Sequence, residues 1–241
     1  MSALPFHLRP RAVHGARIGI LMLDTGFERL PGDVGHAGTW DFPVLYRIVR
    51  SATQEALFGA GPEALTDAFV AAGAELVEMG ADGLATTCGF LAAIHPALSR
   101  RLPVPIATSA LMQIPMVQAL LPPGARVGVI TADAAGLTPA HFTGVGAPAD
   151  CPVAGLDPDG AFRRTLRENR PVADRAAQEA ELLALVDGLV RRAPEVRALV
   201  LECTNLAPHS AAIARRFGLP VFDVVTLVNW FHAALAPRVF A

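Results

Sequence analysis

Lysine is missing from this chain, and all 20 of its basic residues are arginine. Without a lysine amine there is no Schiff base to a carbonyl substrate or to pyridoxal phosphate, and no Walker-type phosphate loop. Cysteine is scarce as well: three thiols are too few, and odd in number, for a disulfide framework. Each thiol is then either a small buried hydrophobe or a reactive group. Charged residues make up 17% of the chain, below the about 25% of an ordinary soluble domain. A net charge of −2 argues against nucleic acid as a partner, which calls for a basic surface. No apolar run is long enough for a membrane span. The C-terminal segment comes nearest, and Asp223, Asn229, His232 and Arg238 interrupt it. The stretch from Met1 to Arg17 carries His7, Arg9, Arg11 and His14 and does not read as a signal peptide. A cytoplasmic location is expected.

What is present is apolar. Over 241 residues, 52% are hydrophobic, enough to bury a large core and to exclude general disorder. Length alone allows one large α/β domain or two smaller ones.

The order of elements decides more. The run from Arg17 to Leu23 reads as a buried parallel strand ended by Asp24-Thr25-Gly26. The stretch from Gly26 to Pro43, rich in Gly, Pro and Asp, is expected to be a lid or binding loop. Pro62 opens a helix whose apolar face is Leu65, Ala68, Phe69 and Ala72. Strands follow at Asp82–Cys88 and Val104–Ser109, separated by a helical stretch. Strand and helix in alternation predict a parallel sheet covered by helices.

The same programme then repeats. Arg126–Thr131 echoes the first strand, with Gly128 matching Gly19. A helix is predicted over Val172–Arg192, with Leu182, Leu185, Val186 and Leu189 on one face. Arg197–Cys203 echoes the strand that ends in Cys88, and Leu219–Phe222 echoes the third strand. Cys88 precedes Pro105 by the same 17 residues that separate Cys203 from Pro220. The expected fold is therefore α/β with two pseudo-symmetric lobes, each with a parallel sheet. The first lobe covers residues 1–108, with segment 226–241 packing back on it, and the second covers 109–225.

Ligands of open parallel sheets sit beyond the carboxyl ends of the strands, where Cys88 and Cys203 both fall. Two lobes facing each other would put the thiols on opposite walls of one cleft. That suits taking a proton from one face of a carbon and returning one to the other. The free N–H groups of the helix after each cysteine are expected to lower its pKa and to hold a substrate carboxylate.

Thr86-Thr87-Cys88-Gly89 and Glu202-Cys203-Thr204-Asn205 resemble the paired cysteine motifs of the aspartate/glutamate racemase family, and Asp24-Thr25 resembles its acidic-hydroxyl pair. The likeness runs from about Arg17 to Val228, since the order of repeats matches too. It implies two flavodoxin- or Rossmann-like lobes and cofactor-independent catalysis, with Cys88 and Cys203 as the two acid/base groups. It also implies that Asp24, Thr25, Thr87, Gly89, Thr131, Thr204 and Asn205 bind a small carboxylate or amino-acid-like substrate. Asn205 stands where glutamate racemases carry histidine, and Gly89-Phe90 where they carry Asn-Thr, which argues against an amino-dicarboxylate. Arg29 in the long loop is a candidate for a second carboxylate.

Other readings stay open. A related isomerase or decarboxylase of an unsaturated or malonate-like acid would use one cysteine, and a non-catalytic sensor of small carboxylates would need neither. A Cys-His amidase pairing Cys88 with His95, or Cys203 with His209, would leave the other thiol idle. Metal is not expected, because no Cys-x-x-Cys or His-x-x-x-His spacing accompanies Cys88, Cys203, His95 and His209. His95 and His209 read as helix-start residues with local hydrogen bonds, and Cys151 as a packing thiol. Gly144–Ala149 fits G-x-G-x-x-A, but no strand precedes it and Pro148 interrupts it. A homodimer is compatible with the thin charge.

Overall fold

The computed structural model describes residues 10–240. His7 and Arg9, part of the reading that the N-terminus is not a signal peptide, lie outside them. Among the described residues no helix is long and apolar enough to cross a membrane.

Among the described residues, eight strands form two four-stranded parallel sheets. The first contains β1 (Ile18–Leu23), β2 (Val44–Val49), β3 (Gly83–Thr86) and β4 (Ile106–Ala107), in the order β2-β1-β3-β4. The second contains β5 (Arg126–Thr131), β6 (Val153–Gly155), β7 (Val196–Leu201) and β8 (Val221–Phe222), in the equivalent order β6-β5-β7-β8. The two-lobed parallel architecture is thus as the repeats imply. Two of the four edge strands, β2 and β6, go beyond the sequence reading.

The matched glycines have one physical role. A Cβ on Gly19 would meet Leu84 Cδ2 at 2.9 Å and Leu76 Cβ at 3.1 Å. A Cβ on Gly128 would meet Val196 Cγ1 at 2.9 Å, Leu189 Cδ2 at 3.0 Å and Leu199 Cδ2 at 3.2 Å. In each lobe, then, the missing side chain lets one helix settle against the first strand. These helices are Thr66–Met79 and Arg175–Arg192. The first buries Phe69, Ala72 and Leu76 on one face, worth about 2–3 kcal/mol for each large side chain. Pro62 starts a 3-10 turn, Pro62–Leu65, that leads into it. The second begins three residues later than predicted, because the Asp174 carboxylate caps it by accepting from Ala177 N at 3.0 Å.

One core runs through both lobes: Val127, Val129, Ala198 and Val200 of the second sheet pack with Leu21, Leu84, Leu91 and Leu111 of the first lobe. The C-terminal helix Val224–Leu235 crosses back to the first sheet, where Phe231 and Leu235 press on Gly83. The 26–43 loop is folded rather than loose. Val34 and Trp40 are buried beside Ile18 and Ile20, and Trp40 Nε1 donates to Tyr46 Oη at 3.1 Å.

Candidate active site

The carboxyl ends of β1, β3, β5 and β7 open into one cavity of about 460 Å³ between the lobes. Thr25, Phe27 and Arg29 border it after β1, Thr87 to Phe90 after β3, Ala132 and Asp133 after β5, and Glu202 to Asn205 after β7. Leu57, Phe58, Arg163, Leu166 and Arg167 are also part of the wall.

Both cysteines border this cavity. Cys88 is buried and Cys203 half-buried, and each is followed by a 3-10 turn, Gly89–Ile94 and Thr204–His209. The expectation of lowered thiol pKa values is overturned. Burial pushes Cys88 up to about 12, with the Glu202 carboxylate adding to the rise, although the Phe90 and Leu91 N–H groups favour its thiolate. Burial and then Glu202 push Cys203 well above its ordinary value, opposed by the Asn205 N–H. One or two backbone donors do not offset the loss of water around sulfur.

Of the other residues singled out in the sequence, Thr25, Thr87, Gly89, Thr204 and Asn205 border the cavity. Thr25 Oγ1 accepts from Arg29 Nη2 at 2.9 Å, and Thr87 Oγ1 accepts from Leu23 N at 3.0 Å. Thr204 Oγ1 donates across the lobes to the Thr87 carbonyl at 2.8 Å. Asp24 and Thr131 are not brought to the cavity wall. Asp24 accepts from Arg50 Nη1 at 3.1 Å on the surface. Thr131 is fully buried and donates to Glu202 Oε2 at 2.7 Å. Cys151 lies elsewhere, its Sγ donating to the Pro148 carbonyl at 3.6 Å.

Neither histidine reaches the cavity. His95 starts the helix His95–Arg101 and its Nδ1 lies 3.2 Å from Thr108 Oγ1. His209 corrects the expectation of a local hydrogen bond. It is buried with neither nitrogen hydrogen-bonded, its Nδ1 3.7 Å from Glu179 Oε2 and its ring edge-on to Phe162. Among the described residues no group of three or more His, Cys, Asp or Glu is placed to hold a metal ion.

Two features escaped the sequence reading, Glu202 and Asp33. Glu202 is buried beside both thiols. Burial pushes its carboxyl up to about 7, and its Oε1 has no hydrogen-bond partner. A charged residue at the end of the wholly apolar run Ala198–Leu201 was the available signal. Asp33, buried in the long loop, reaches the second lobe: its Oδ2 accepts from Asn205 Nδ2 at 2.6 Å. Arg29, read as a candidate carboxylate binder, is held by Asp33 Oδ1 at 2.8 Å and lies 4.8 Å over the Phe27 ring.

A two-lobed α/β protein with a thiol from each lobe in the intervening cavity is a narrow class. A family model described as "Asp/Glu/Hydantoin racemase" matches residues 61–231. The chain belongs to that family. Among solved structures, unliganded arylmalonate decarboxylase is 20% identical with a TM-score of 0.57, over 92% of this chain and 93% of that one. Allantoin racemase from Pseudomonas fluorescens is 16% identical with a TM-score of 0.58, over 90% of each chain. At these identities the likeness is one of fold. Among curated relatives, dimethylsulfoniopropionate lyase 5 of Emiliania huxleyi (strain CCMP1516) is 28% identical over 90% of this chain and 45% of its own length. Dimethylsulfoniopropionate lyase 3 of the same strain is 29% identical over 90% of this chain and 59% of its own. The chain thus spans about half the length of these curated relatives.

Proposed function

We propose that the protein is a cofactor-independent racemase or epimerase acting at a carbon next to a carboxylate or carbonyl, with Cys88 and Cys203 as its acid/base pair. The observation that carries this reading is the equivalence of the two thiols. Each follows the strand that pairs with the first strand of its lobe, and both border one cavity. One sulfur takes the substrate proton as thiolate while the C–H electron pair moves into the adjacent carbonyl as an enolate. The other S–H then delivers its proton to the opposite face. A thiolate kept from water is a strong base, which a weakly acidic C–H requires. Thr25, Thr87, Gly89, Thr204 and Asn205 are the proposed contacts for the substrate's polar groups, with Arg29 and Arg163 available to a carboxylate. Thr131 acts only at one remove, through Glu202, and Asp24 is bonded to Arg50 away from the cavity.

The test is exchange in D₂O over a panel of chiral amino acids, hydantoins and hydroxy acids. Solvent deuterium should appear at the reacting carbon as the enantiomers interconvert, and Cys88→Ala and Cys203→Ala should each abolish it. Full-rate racemisation by either variant would end the two-base assignment.

A second reading is favoured by the lyases among the relatives and by the aromatic side of the cavity. Phe27, Phe58 and Phe90 border it, with Phe58 and Phe90 edge-on at 5.5 Å. Aromatic faces attract a cation such as a sulfonium. On dimethylsulfoniopropionate, one thiolate would take the proton next to the carboxylate. The C–S bond would then break with its electron pair leaving on sulfur, giving acrylate and dimethyl sulfide. Release of dimethyl sulfide that is lost on replacing one cysteine selects this reading, and deuterium incorporation without release selects the first.

A further inference from the structure

The two thiols are alike in position but not in hydrogen bonding. Cys88 faces two N–H groups, of Phe90 and Leu91, both of which favour a thiolate. Cys203 faces one N–H, of Asn205, and in addition donates its S–H to Asn205 Oδ1 at 3.6 Å. That acceptor favours the thiol.

The orientation of the Asn205 amide is not free. Its other end, Nδ2, lies 2.6 Å from Asp33 Oδ2. An ionised carboxylate only accepts, so it must meet the amide's NH₂ and not its oxygen. Asp33 is itself fixed, because Arg29 Nη1 and Gly35 N each donate to its Oδ1 at 2.8 Å. The amide therefore turns its oxygen to Cys203. A flipped amide would offer its NH₂ to sulfur and stabilise the thiolate instead. The remaining charged or titratable groups facing Cys203 are Glu202, Cys88 and Asp33 itself. Those facing Cys88 are Glu202 and Arg29.

We propose that Asp33, acting through the Asn205 amide, is a positioning residue that keeps Cys203 protonated as the proton donor and leaves Cys88 as the base. The proposal rests on the two-cysteine reading and assigns the protonation state of the resting pair; the opposite enantiomer is turned over from the reverse state, with Cys203 as thiolate and Cys88 as thiol. In one turnover the substrate C–H breaks and its proton goes to Cys88 Sγ. The Cys203 S–H breaks and its proton goes to the opposite face of the carbon. Solvent then removes the proton from Cys88 and restores the one on Cys203.

The protonation order is read without substrate, so it stands apart from whether the protein racemises anything. In a Cys151→Ser background, iodoacetamide labelling of Cys88 and Cys203 is followed against pH by peptide mass spectrometry. Cys88 should acquire its thiolate-dependent rate at lower pH than Cys203. Asp33→Asn, which can face the amide either way round, should lower the Cys203 midpoint by about one pH unit, or about tenfold in labelling rate at a fixed pH below it. Cys88 should move by less than half as much. Asn205→Ala separates the amide from the Asp33 charge, since it keeps the charge and removes the acceptor. It too should shift Cys203 downward, and it serves alone if Asp33→Asn does not fold. The proposal is overturned if Cys203 ionises first in the parent protein. It is overturned equally if Asn205→Ala folds and leaves the Cys203 profile where it was.

Discussion

Gly89 lies so close to Glu202 that a methyl group on its Cα would stand 2.1 Å from Oε1 and 2.3 Å from the Glu202 carbonyl oxygen. The two residues belong to different lobes, and each neighbours one of the cysteines. The carboxyl could rotate away from a methyl group, but the backbone carbonyl cannot. Gly89→Ala should therefore destabilise by about 1–3 kcal/mol, as overpacking does, and displace Cys88 from its place on the cavity wall. Turnover should fall together with the melting temperature. Adding Glu202→Ala should not restore either, because the carbonyl remains. A Gly89→Ala protein that melts as the parent does would contradict this contact.

Glu202 makes stability depend on pH in a stated direction. Its carboxyl rises from 4.5 to about 7 because burial disfavours the charge, with Thr131 partly opposing. Between those values the folded protein holds a proton that the unfolded chain releases, so stability declines as pH climbs from 4.5 to about 7. Above that window the loss amounts to about 3 kcal/mol. Glu202→Gln keeps an acceptor for Thr131 and carries no charge. Denaturant titrations should show it gaining on the parent as pH rises through this window, and gaining nothing below it. An equal difference at all pH values would mean that Glu202 is not buried as a neutral acid.

The raised thiols predict an alkaline reaction. With Cys88 at about 12, its thiolate fraction grows about tenfold per pH unit through the neutral and mildly alkaline range. The logarithm of kcat/KM should climb with a slope near one instead of levelling at the value of a free thiol, about 8.5. The new charge on Glu202 near pH 7 should flatten the climb there, and Glu202→Gln should remove that inflection. A plateau reached near neutrality would show that substrate binding, or a group outside this cluster, lowers the thiol.

The parallel runs Ile18–Leu23 and Arg126–Thr131 were legible because both faces of a central strand are apolar and need no partner to reveal them. The cysteines were legible because strand ends are. Two of the edge strands are not: β2 exposes Arg47 and Ile48, and β6 has only three residues, so their pairing to β1 and β5 is visible only in space. The same limit applies within the site. Asp33 and Asn205 are 172 residues apart, and no local pattern relates a loop carboxylate to an amide in another lobe. The direction of the thiol shifts was misread for a related reason. Helix ends can be counted along a chain, whereas desolvation depends on which walls close around the sulfur.

Asn169 ties the lobes together through the loop that carries Phe27. It is the one non-glycine among the described residues with positive φ, at 54°. In that conformation its Oδ1 accepts from Gly26 N at 2.6 Å and Phe27 N at 2.9 Å. Beside it, Glu28 N donates to the Arg170 carbonyl at 3.0 Å, and Ala173 N donates to Glu28 Oε2 at 2.7 Å. The strap holds Phe27, and with it Arg29, against the cavity. Asn169→Gly keeps the backbone shape and loses only the two side-chain bonds, a loss of about 1–2 kcal/mol at the net value of such bonds. Asn169→Ala must also adopt positive φ with a Cβ, which costs about 1 kcal/mol more. Hydrogen exchange should therefore quicken at the Gly26 and Phe27 amides in both variants, while amides within β1 and β5 stay protected in Asn169→Gly. KM should rise more than kcat falls, since the loop positions the wall and carries neither thiol. If the Gly26 and Phe27 amides exchange as slowly in Asn169→Gly as in the parent, the strap is held by the two bonds of Glu28 alone.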